Sequence, residues 1–279
     1  MASASLRTLG QALRPSLQRL PILTPTPREI HGVMQKEEVI SGRTFAARTA
    51  PDLNGADAIA FRFRGPHGTL TIADGVGAEP DSPKIAHFLC ERLAGDPRFM
   101  SLAEKLRSIH QELPYQHGAA AIAAVEITPR YINVLSIGDV QTILVDPQNR
   151  IIHCGHTYTE SNVTSAIKRD CSFPTVKQDT YPNTPGTCIA IATDGIAKYL
   201  TPRSWVSLFE HAKMHGPKET TGLLTELIAT ETCADADSSG AMRQSAQQLQ
   251  QALGLKGEAR VAHFTPHPDD KSIAMMVVR

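Results

Sequence analysis

The sequence predicts an α+β fold, a central antiparallel β-sandwich flanked by helices on both faces (αββα). Three observations carry this. Apolar runs of strand length fall into clusters, with pairs of helical patterns between them. Two consecutive helices follow a hairpin with no strand between, which argues against a repeating βαβ unit. The strand runs are joined by short turns rich in Gly, Pro and Asn, as antiparallel neighbours are.

The elements read as follows. Ala58 to Arg64 alternates, with Ile59, Phe61 and Phe63 on one face. Pro66-His67-Gly68 turns the chain into a second strand, Thr69 to Asp74, which ends at Asp74-Gly75-Val76-Gly77. Ser82-Pro83 opens a helix, Ser82 as the cap and Pro83 in the first turn, with Ile85, Phe88, Leu89 and Leu93 on one face. Ser101-Leu-Ala-Glu104 is a capping box that starts a second helix, carrying Leu102, Leu106, Ile109 and Leu113 inward. Strands return over Ala119–Ile127, Tyr131–Ile137 and Gln141–Val145, turned by Thr128-Pro129-Arg130 and Gly138-Asp139. Pro147-Gln148-Asn149 closes a hairpin into Ile151–His153. Thr187–Thr193 is a buried strand running into Asp194-Gly195. Helices start near Pro202, Lys218 and Ser239, and Ser272–Val278 is a final strand entered through Pro266-His267-Pro268-Asp269-Asp270.

Composition narrows the function classes. The 279 residues suffice to bury a sizeable core, and 41% hydrophobic with 20% charged residues is ordinary for a soluble domain. Lys+Arg and Asp+Glu are both 28, so no basic excess points to nucleic acid. No apolar run is long enough to span a bilayer, so no membrane partner is expected. The five cysteines are odd in number and widely spaced, which fits a reducing compartment without structural zinc. The expected localisation is cytoplasmic. Residues 1–28 hold Arg7, Arg14, Arg19 and Arg28 and no acidic residue, so they are either a basic tail or a leader for an organelle or secretion. Pro21, Pro25 and Pro27 then interrupt any helix. The expected boundary puts a basic, flexible segment at 1–30 and one folded domain at 31–279.

Chemistry is expected where acidic residues meet strand ends. Asp57 precedes one strand, Asp74 ends the next, Asp194 follows a buried strand, and Asp269 and Asp270 precede the last. Converging carboxylates repel one another unless cations neutralise them. An all-oxygen set suits Mg²⁺ or Mn²⁺ rather than zinc. A pair of such ions can activate water and clamp a phosphoryl group. A single Asp-Gly is more often a turn; four such places at the edges of apolar strands raise the odds. Other features read as structure. His153-Cys154-Gly155-His156 lies on a hairpin strand and its exit, Cys188 is a small core residue, and Trp205 packs inside a helix. Asp235 and Asp237 fall in a Ser/Ala-rich linker, and His263 and His267 are loop histidines beside the last aspartates. No phosphate-binding G-x-x-x-x-G-K-[ST] loop and no G-x-S-x-G elbow occurs.

Five short blocks, in order, resemble the protein phosphatase 2C family. They are Asn54-Gly-Ala-Asp57-Ala58, Thr69-Leu-Thr-Ile-Ala-Asp74-Gly75-Val-Gly77, Gly118–Val125 with Val134-Leu-Ser-Ile-Gly138-Asp139, Thr187-Cys-Ile-Ala-Ile-Ala-Thr193-Asp194-Gly195, and Asp269-Asp270-Lys271-Ser272-Ile273. The first has one residue inserted. The resemblance implies a metal-dependent phosphatase acting on phosphoserine or phosphothreonine in proteins, as a monomer. It implies two Mn²⁺ or Mg²⁺ ions, with a third in some members, and direct attack of an activated water without a phosphoenzyme. Asp74 would bridge both metals, with the Gly75 carbonyl as a further ligand. Asp194 and Asp269 would complete the first metal, Asp57 would hold water on the second, and Asp139 would help hold a third. A phosphate-binding arginine is expected shortly before the first aspartate; Arg48 is the candidate and Arg43 the second choice. Ala56 stands where some members have a metal-binding Glu, and Val76 where animal members carry a proton-donating His. Gly138-Asp139-Val140-Gln141 departs from the family's G-D-S-R. This departure and the displaced arginine motivate an alternative, a catalytically weak relative that binds phosphoproteins as an adaptor or regulator.

Overall fold

The computed structural model describes residues 28–29, 34–40, 43–50, 56–77, 79–96, 100–155, 166–174, 176, 178–236, 240–255 and 271–278. Its strands are β1 (Arg28–Glu29), β2 (Met34–Ile40), β3 (Arg43–Ala50), β4 (Ala58–Arg64), β5 (His67–Val76), β6 (Ala119–Ile127), β7 (Tyr131–Ile137), β8 (Gln141–Val145), β9 (Ile151–Cys154), β10 (Gln178–Pro182), β11 (Cys188–Ala192) and β12 (Lys271–Val278). Its helices are α1 (Ser82–Gly95), α2 (Leu102–Gln111), α3 (Asp194–Ala197), α4 (Pro202–His215), α5 (Pro217–Ala236) and α6 (Gly240–Ala252). The strands form two sheets, in the orders β1-β4-β5-β6-β7-β10 and β2-β3-β12-β11-β8-β9, with every neighbouring pair antiparallel.

Alternation along the strands sorts side chains into three apolar layers. Phe45, Ile59, Phe61, Phe63, Leu70, Ile72, Ala121, Ala123, Val125, Leu144, Ile189, Ile191, Ala274 and Met276 fill the space between the sheets. The opposite face of the first sheet offers Ala58, Ala60, Ala73, Ala120 and Ala124, small residues under α1 and α2 with their Ile85, Leu89, Leu93, Leu102, Leu106 and Ile109. The outer face of the second sheet packs Ile143, Cys188, Ala190, Ile273 and Met275 against α4, α5 and α6 through Trp205, Leu208, Phe209, Leu224, Leu227, Ile228 and Ala246. This is the αββα sandwich expected from the sequence.

The two ends of the sandwich differ. At one end Phe45, Phe61 and Phe63 stack with ring centroids 4.8, 5.5 and 6.0 Å apart, which closes the space between the sheets. Each such pair contributes about 0.5–1.5 kcal/mol beyond burial. At the other end the inward positions are polar: Asp57, Asp74, Ser136, Thr142, Thr193 and Ser272. Ser136 Oγ and Thr142 Oγ1, from β7 and β8, lie 3.3 Å apart across the sheets.

Several local expectations change. Strand β5 runs through Asp74 to Val76, so Asp74 sits inside the strand rather than at its end. Gly65 and Pro66 make the turn before it, with Arg64 paired to His67. Ser82 is not the cap of α1. That position is Asp81, and the Ser82 hydroxyl instead donates to the Val76 carbonyl at 2.8 Å and accepts from Ala119 N–H at 3.2 Å. The capping box of α2 is formed as expected, Ser101 accepting from Glu104 N–H. Strands β2, β3 and β10 have no counterpart in the sequence reading. Arg28 and Glu29, expected in the flexible segment, pair with β4. Helix α5 continues to Ala236 and takes in Asp235, which was expected in a linker; Asp237, His156, His263 and His267 lie outside the described residues. Among the described residues no helix is long and apolar enough to cross a membrane.

Candidate active site

The acidic end of the sandwich is assembled by strand register. Ala58 pairs with Ala73, and Gly75 N–H donates to the Ala56 carbonyl at 3.2 Å, so Asp57 lies directly opposite Asp74. Residues opposite each other in an antiparallel pair point to the same face. Ile59, Phe61, Leu70 and Ile72 face the inter-sheet space, and the same alternation turns Asp57 and Asp74 into it. Asp57 is 5% exposed and Asp74 is half-buried. Like charges facing each other this way are destabilising, which a shared cation relieves.

The second sheet brings the next carboxylate. Strand β11 ends at Ala192, and fully buried Thr193 follows it with an inward hydroxyl. That hydroxyl donates to Asp57 Oδ2 at 2.9 Å and accepts from Ser272 N–H at 3.1 Å, while Thr193 N–H donates to the Ser272 carbonyl at 3.0 Å. Thr193 also precedes α3, but its hydroxyl makes no cap bond to that helix. Asp194 is the next residue. Lys198 Nζ lies 3.9 Å from Asp194 Oδ2, and the Lys198 side chain is 18% exposed. The Gly138-Asp139 loop crosses from β7 to β8 at the same end, with Gly138 at φ 89°. Among the described residues, Oδ1 of Asp57, of Asp139 and of Asp194 is buried and accepts no hydrogen bond.

The backbone around Asp74 is tightly held. A Cβ on Gly75 would come within 2.9 Å of the Ser82 backbone, and a Cβ on Gly118 within 2.6 Å of the same residue. The two glycines therefore let the first turn of α1 lie against the ends of β5 and β6, and Ser82 fastens both. The donor set fits hard divalent cations: carboxylates and a backbone carbonyl, with no thiolate or imidazole among them. Asp269 and Asp270 lie outside the described residues; β12 begins at Lys271, whose partner Ala50 is at this same end of the sheet.

The expected phosphate-binding arginine is corrected. On β3, Phe45 and Ala47 point between the sheets, so Arg48 points the other way, beneath α5. Its Nη1 donates to the Gly222 carbonyl at 3.2 Å. Arg43, the second choice, sits at the far end of the sandwich, pairs with Val278, and donates through Nη2 to the Pro66 carbonyl at 2.8 Å. Neither side chain serves the acidic end. Two residues there were missed. Thr193 falls inside the fourth block, where the sequence gives it no role of its own, and Lys198 is marked only by its spacing of four from Asp194 on a helical turn.

The altered G-D-V-Q block has a structural account. Val140 is fully buried between the sheets, and the Gln141 side chain turns outward, accepting from Trp205 Nε1 at 3.2 Å. Val76 packs against the inter-sheet core. Ile167 lies beside the site, exchanging backbone hydrogen bonds of 3.2 and 2.8 Å with Ala120, one residue from the partner of Asp74. A separate cavity of about 510 Å³ lies at the opposite end, on the helix-bearing face of the first sheet, lined by Arg62, Arg64, Lys105 and Glu126 among others. It lacks the carboxylate cluster.

Comparison with known proteins agrees with this fold. The family model described as protein phosphatase 2C matches residues 98–230, a stretch that contains Asp139 and Asp194. No curated protein of matching sequence was found. Among solved structures, RsbX in complex with magnesium is 13% identical, with 88% of this chain and 100% of that chain covered and a TM-score of 0.57. The photosystem II phosphatase PBCP is 13% identical over 85% of this chain and 99% of its own, with a TM-score of 0.63. The Mycobacterium tuberculosis serine/threonine phosphatase PstP/Ppp is 14% identical over 85% and 99%, with a TM-score of 0.54. At these identities the likeness is one of fold. Through that fold and the match over residues 98–230, the resemblance read in the sequence is borne out: this chain is similar to protein phosphatases of the 2C family.

Proposed function

We propose that the protein is a metal-dependent serine/threonine phosphatase that hydrolyses phosphoserine and phosphothreonine in protein substrates. The observation that carries the reading is the convergence of Asp57, Asp74 and Asp194 from both sheets, with Asp57 fixed to Thr193 at 2.9 Å. Asp74 and the Gly75 carbonyl, with Asp194, Asp269 and the water-holding Asp57, would hold two Mn²⁺ or Mg²⁺ ions, and Asp139 would serve a third. When bound, such ions supply a nucleophilic water near neutral pH and neutralise charge on the transferred phosphoryl group. The chain's own residues orient the site. Thr193 holds the Asp57 carboxylate in one rotamer, and the glycine-tight first turn of α1 keeps Asp74 from shifting. Lys198 is our candidate for the cation that meets the substrate phosphate, in the role the sequence reading gave to Arg48. The stretch at Ile167, bonded to Ala120, is where a protein substrate would contact the rim of the site. The domain beyond residue 30 is read as the catalytic unit, acting as a monomer.

Manganese titration calorimetry tests the metal assignment. Wild-type protein should take up Mn²⁺ with accompanying turnover of a phosphothreonine peptide, and Asp74→Asn should lose both while staying folded. Metal uptake without turnover would favour the adaptor reading. Unchanged uptake and turnover in Asp74→Asn would remove Asp74 from the site.

A further inference from the structure

A second group of ligand-type side chains lies on the helical layer outside the second sheet, away from the aspartates. His211 and His215 are four apart on the last turns of α4, and Glu219 is in the first turn of α5. One donor atom from each lies within 4.8 Å of the others. The two imidazoles face each other with ring centroids 4.4 Å apart. His211 is 6% exposed, whereas His215 and Glu219 are exposed.

The Thr220 hydroxyl bridges Gly216 and His211: its Oγ1 lies 3.0 Å from the Gly216 carbonyl and 2.8 Å from His211 Nδ1. With the hydroxyl proton on the Gly216 carbonyl, Nδ1–H donates to Oγ1 and Nε2 carries the lone pair. Metal-binding histidines are commonly oriented this way, by a hydrogen bond from the other ring nitrogen.

We propose that His211, His215 and Glu219 form a binding site for a borderline divalent metal, Zn²⁺ being the best match, with water completing the coordination. Two imidazoles and one carboxylate suit zinc and not the all-oxygen preference of Mg²⁺. The ion would brace the Gly216 corner between α4 and α5. Helix α5 also supplies the Gly222 carbonyl that receives Arg48 of β3, so the brace would fix this helix layer on the second sheet. The proposal is independent of the phosphatase reading.

The test uses the full chain in excess Mg²⁺, which occupies oxygen-ligand sites. Zn²⁺ uptake is measured by equilibrium dialysis, and Co²⁺ is used as a spectroscopic substitute. Wild type should retain one Zn²⁺ more per chain than His215→Ala and Glu219→Gln, gain thermal stability with Zn²⁺, and show the intense visible bands of low-coordinate Co²⁺ that the variants lack. Thr220→Val should weaken Zn²⁺ binding by about 10–100-fold. His215 is exposed, so its variant is expected to fold whatever Thr220→Val does. Equal Zn²⁺ uptake and equal Co²⁺ spectra in wild type and His215→Ala would overturn the proposal.

Discussion

The Thr193 hydroxyl donates to Asp57 Oδ2 at 2.9 Å, and this bond ties the open ends of the two sheets together at the acidic site. Asp57 belongs to the β4–β5 hairpin of one sheet, and Thr193 ends β11 of the other. Both are buried, at 5% and 0% exposure. Thr193→Val keeps the shape, removes the donor, and leaves a buried carboxylate oxygen and the Ser272 N–H without it. Stability should fall by about 1–3 kcal/mol. Thr193→Ser should restore most of it. Urea unfolding of the three proteins measures this.

Metal should stabilise the fold, and the Asp74 variant should show why. Asp57 and Asp74 face each other across the ladder, so without cations each destabilises the other. Asp74→Asn should therefore be at least as stable as wild type in a chelator. Mn²⁺ or Mg²⁺ should raise the wild-type midpoint and leave the variant much less changed. Thermal unfolding with and without metal makes the comparison.

Lys198 and Arg48 separate two accounts of phosphate binding. Lys198→Ala should raise KM for a phosphopeptide by roughly 10–100-fold, the worth of a charge-assisted hydrogen bond. Arg48→Ala should leave KM nearly unchanged and cost stability, because its guanidinium holds α5 through the Gly222 carbonyl. Steady-state kinetics on both variants, beside their melting curves, distinguish the roles.

Gly75→Ala should be costly although it adds one methyl group. The new Cβ would meet Ser82 backbone atoms at 2.9 and 3.0 Å, and helix backbone cannot yield as a side-chain tip can. A loss of about 1–3 kcal/mol is expected, with weaker metal affinity as Asp74 shifts. Chemical unfolding and metal titration of the variant check both parts.

Thiol reactivity should follow burial. Burial pushes the Cys90 thiol up to about 12 and the Cys188 thiol up to about 11. The thiolate is the reactive form and is scarce below those values, so neither should alkylate in native protein near neutral pH. Cys154 and Cys171 are exposed and should react, with Cys154 slowed because burial also raises its thiol. Peptide-resolved mass spectrometry after brief labelling reads the order, and denaturation should release Cys90 and Cys188.

How much of this was legible in the sequence depends on how local the signal was. The bounds of β6, β7 and β8 follow from apolar runs ended by Pro and Gly turns, and the capping box at Ser101 located α2. Strands β2 and β3 were missed because their support is distant. Strand β3 pairs along its length with β12 at the other end of the chain, and the sequence of β2 is largely polar. Strand β10 (QDTYP) is an edge strand holding Asp and Pro, which reads as loop. Missing β3 led to the error over Arg48. Closeness to Asp57 in sequence suggested closeness in space, but strand alternation puts Arg48 on the opposite face. That Asp57, Asp74 and Asp194 share one end of the sandwich was legible because each adjoins an apolar strand. The bond from Thr193 to Asp57 was not, since it depends on how two sheets align across 136 positions of sequence.

The central claim is that the acidic end of this sandwich hydrolyses phosphate esters with divalent cations. The most direct measurement is release of phosphate from a phosphothreonine peptide by wild type and Asp194→Asn, each with Mn²⁺ and with a chelator. The account predicts turnover by wild type only with Mn²⁺, and a rate for Asp194→Asn lower by about two orders of magnitude or more at unchanged fold. Turnover that survives the chelator, or that Asp194→Asn retains in full, would contradict it.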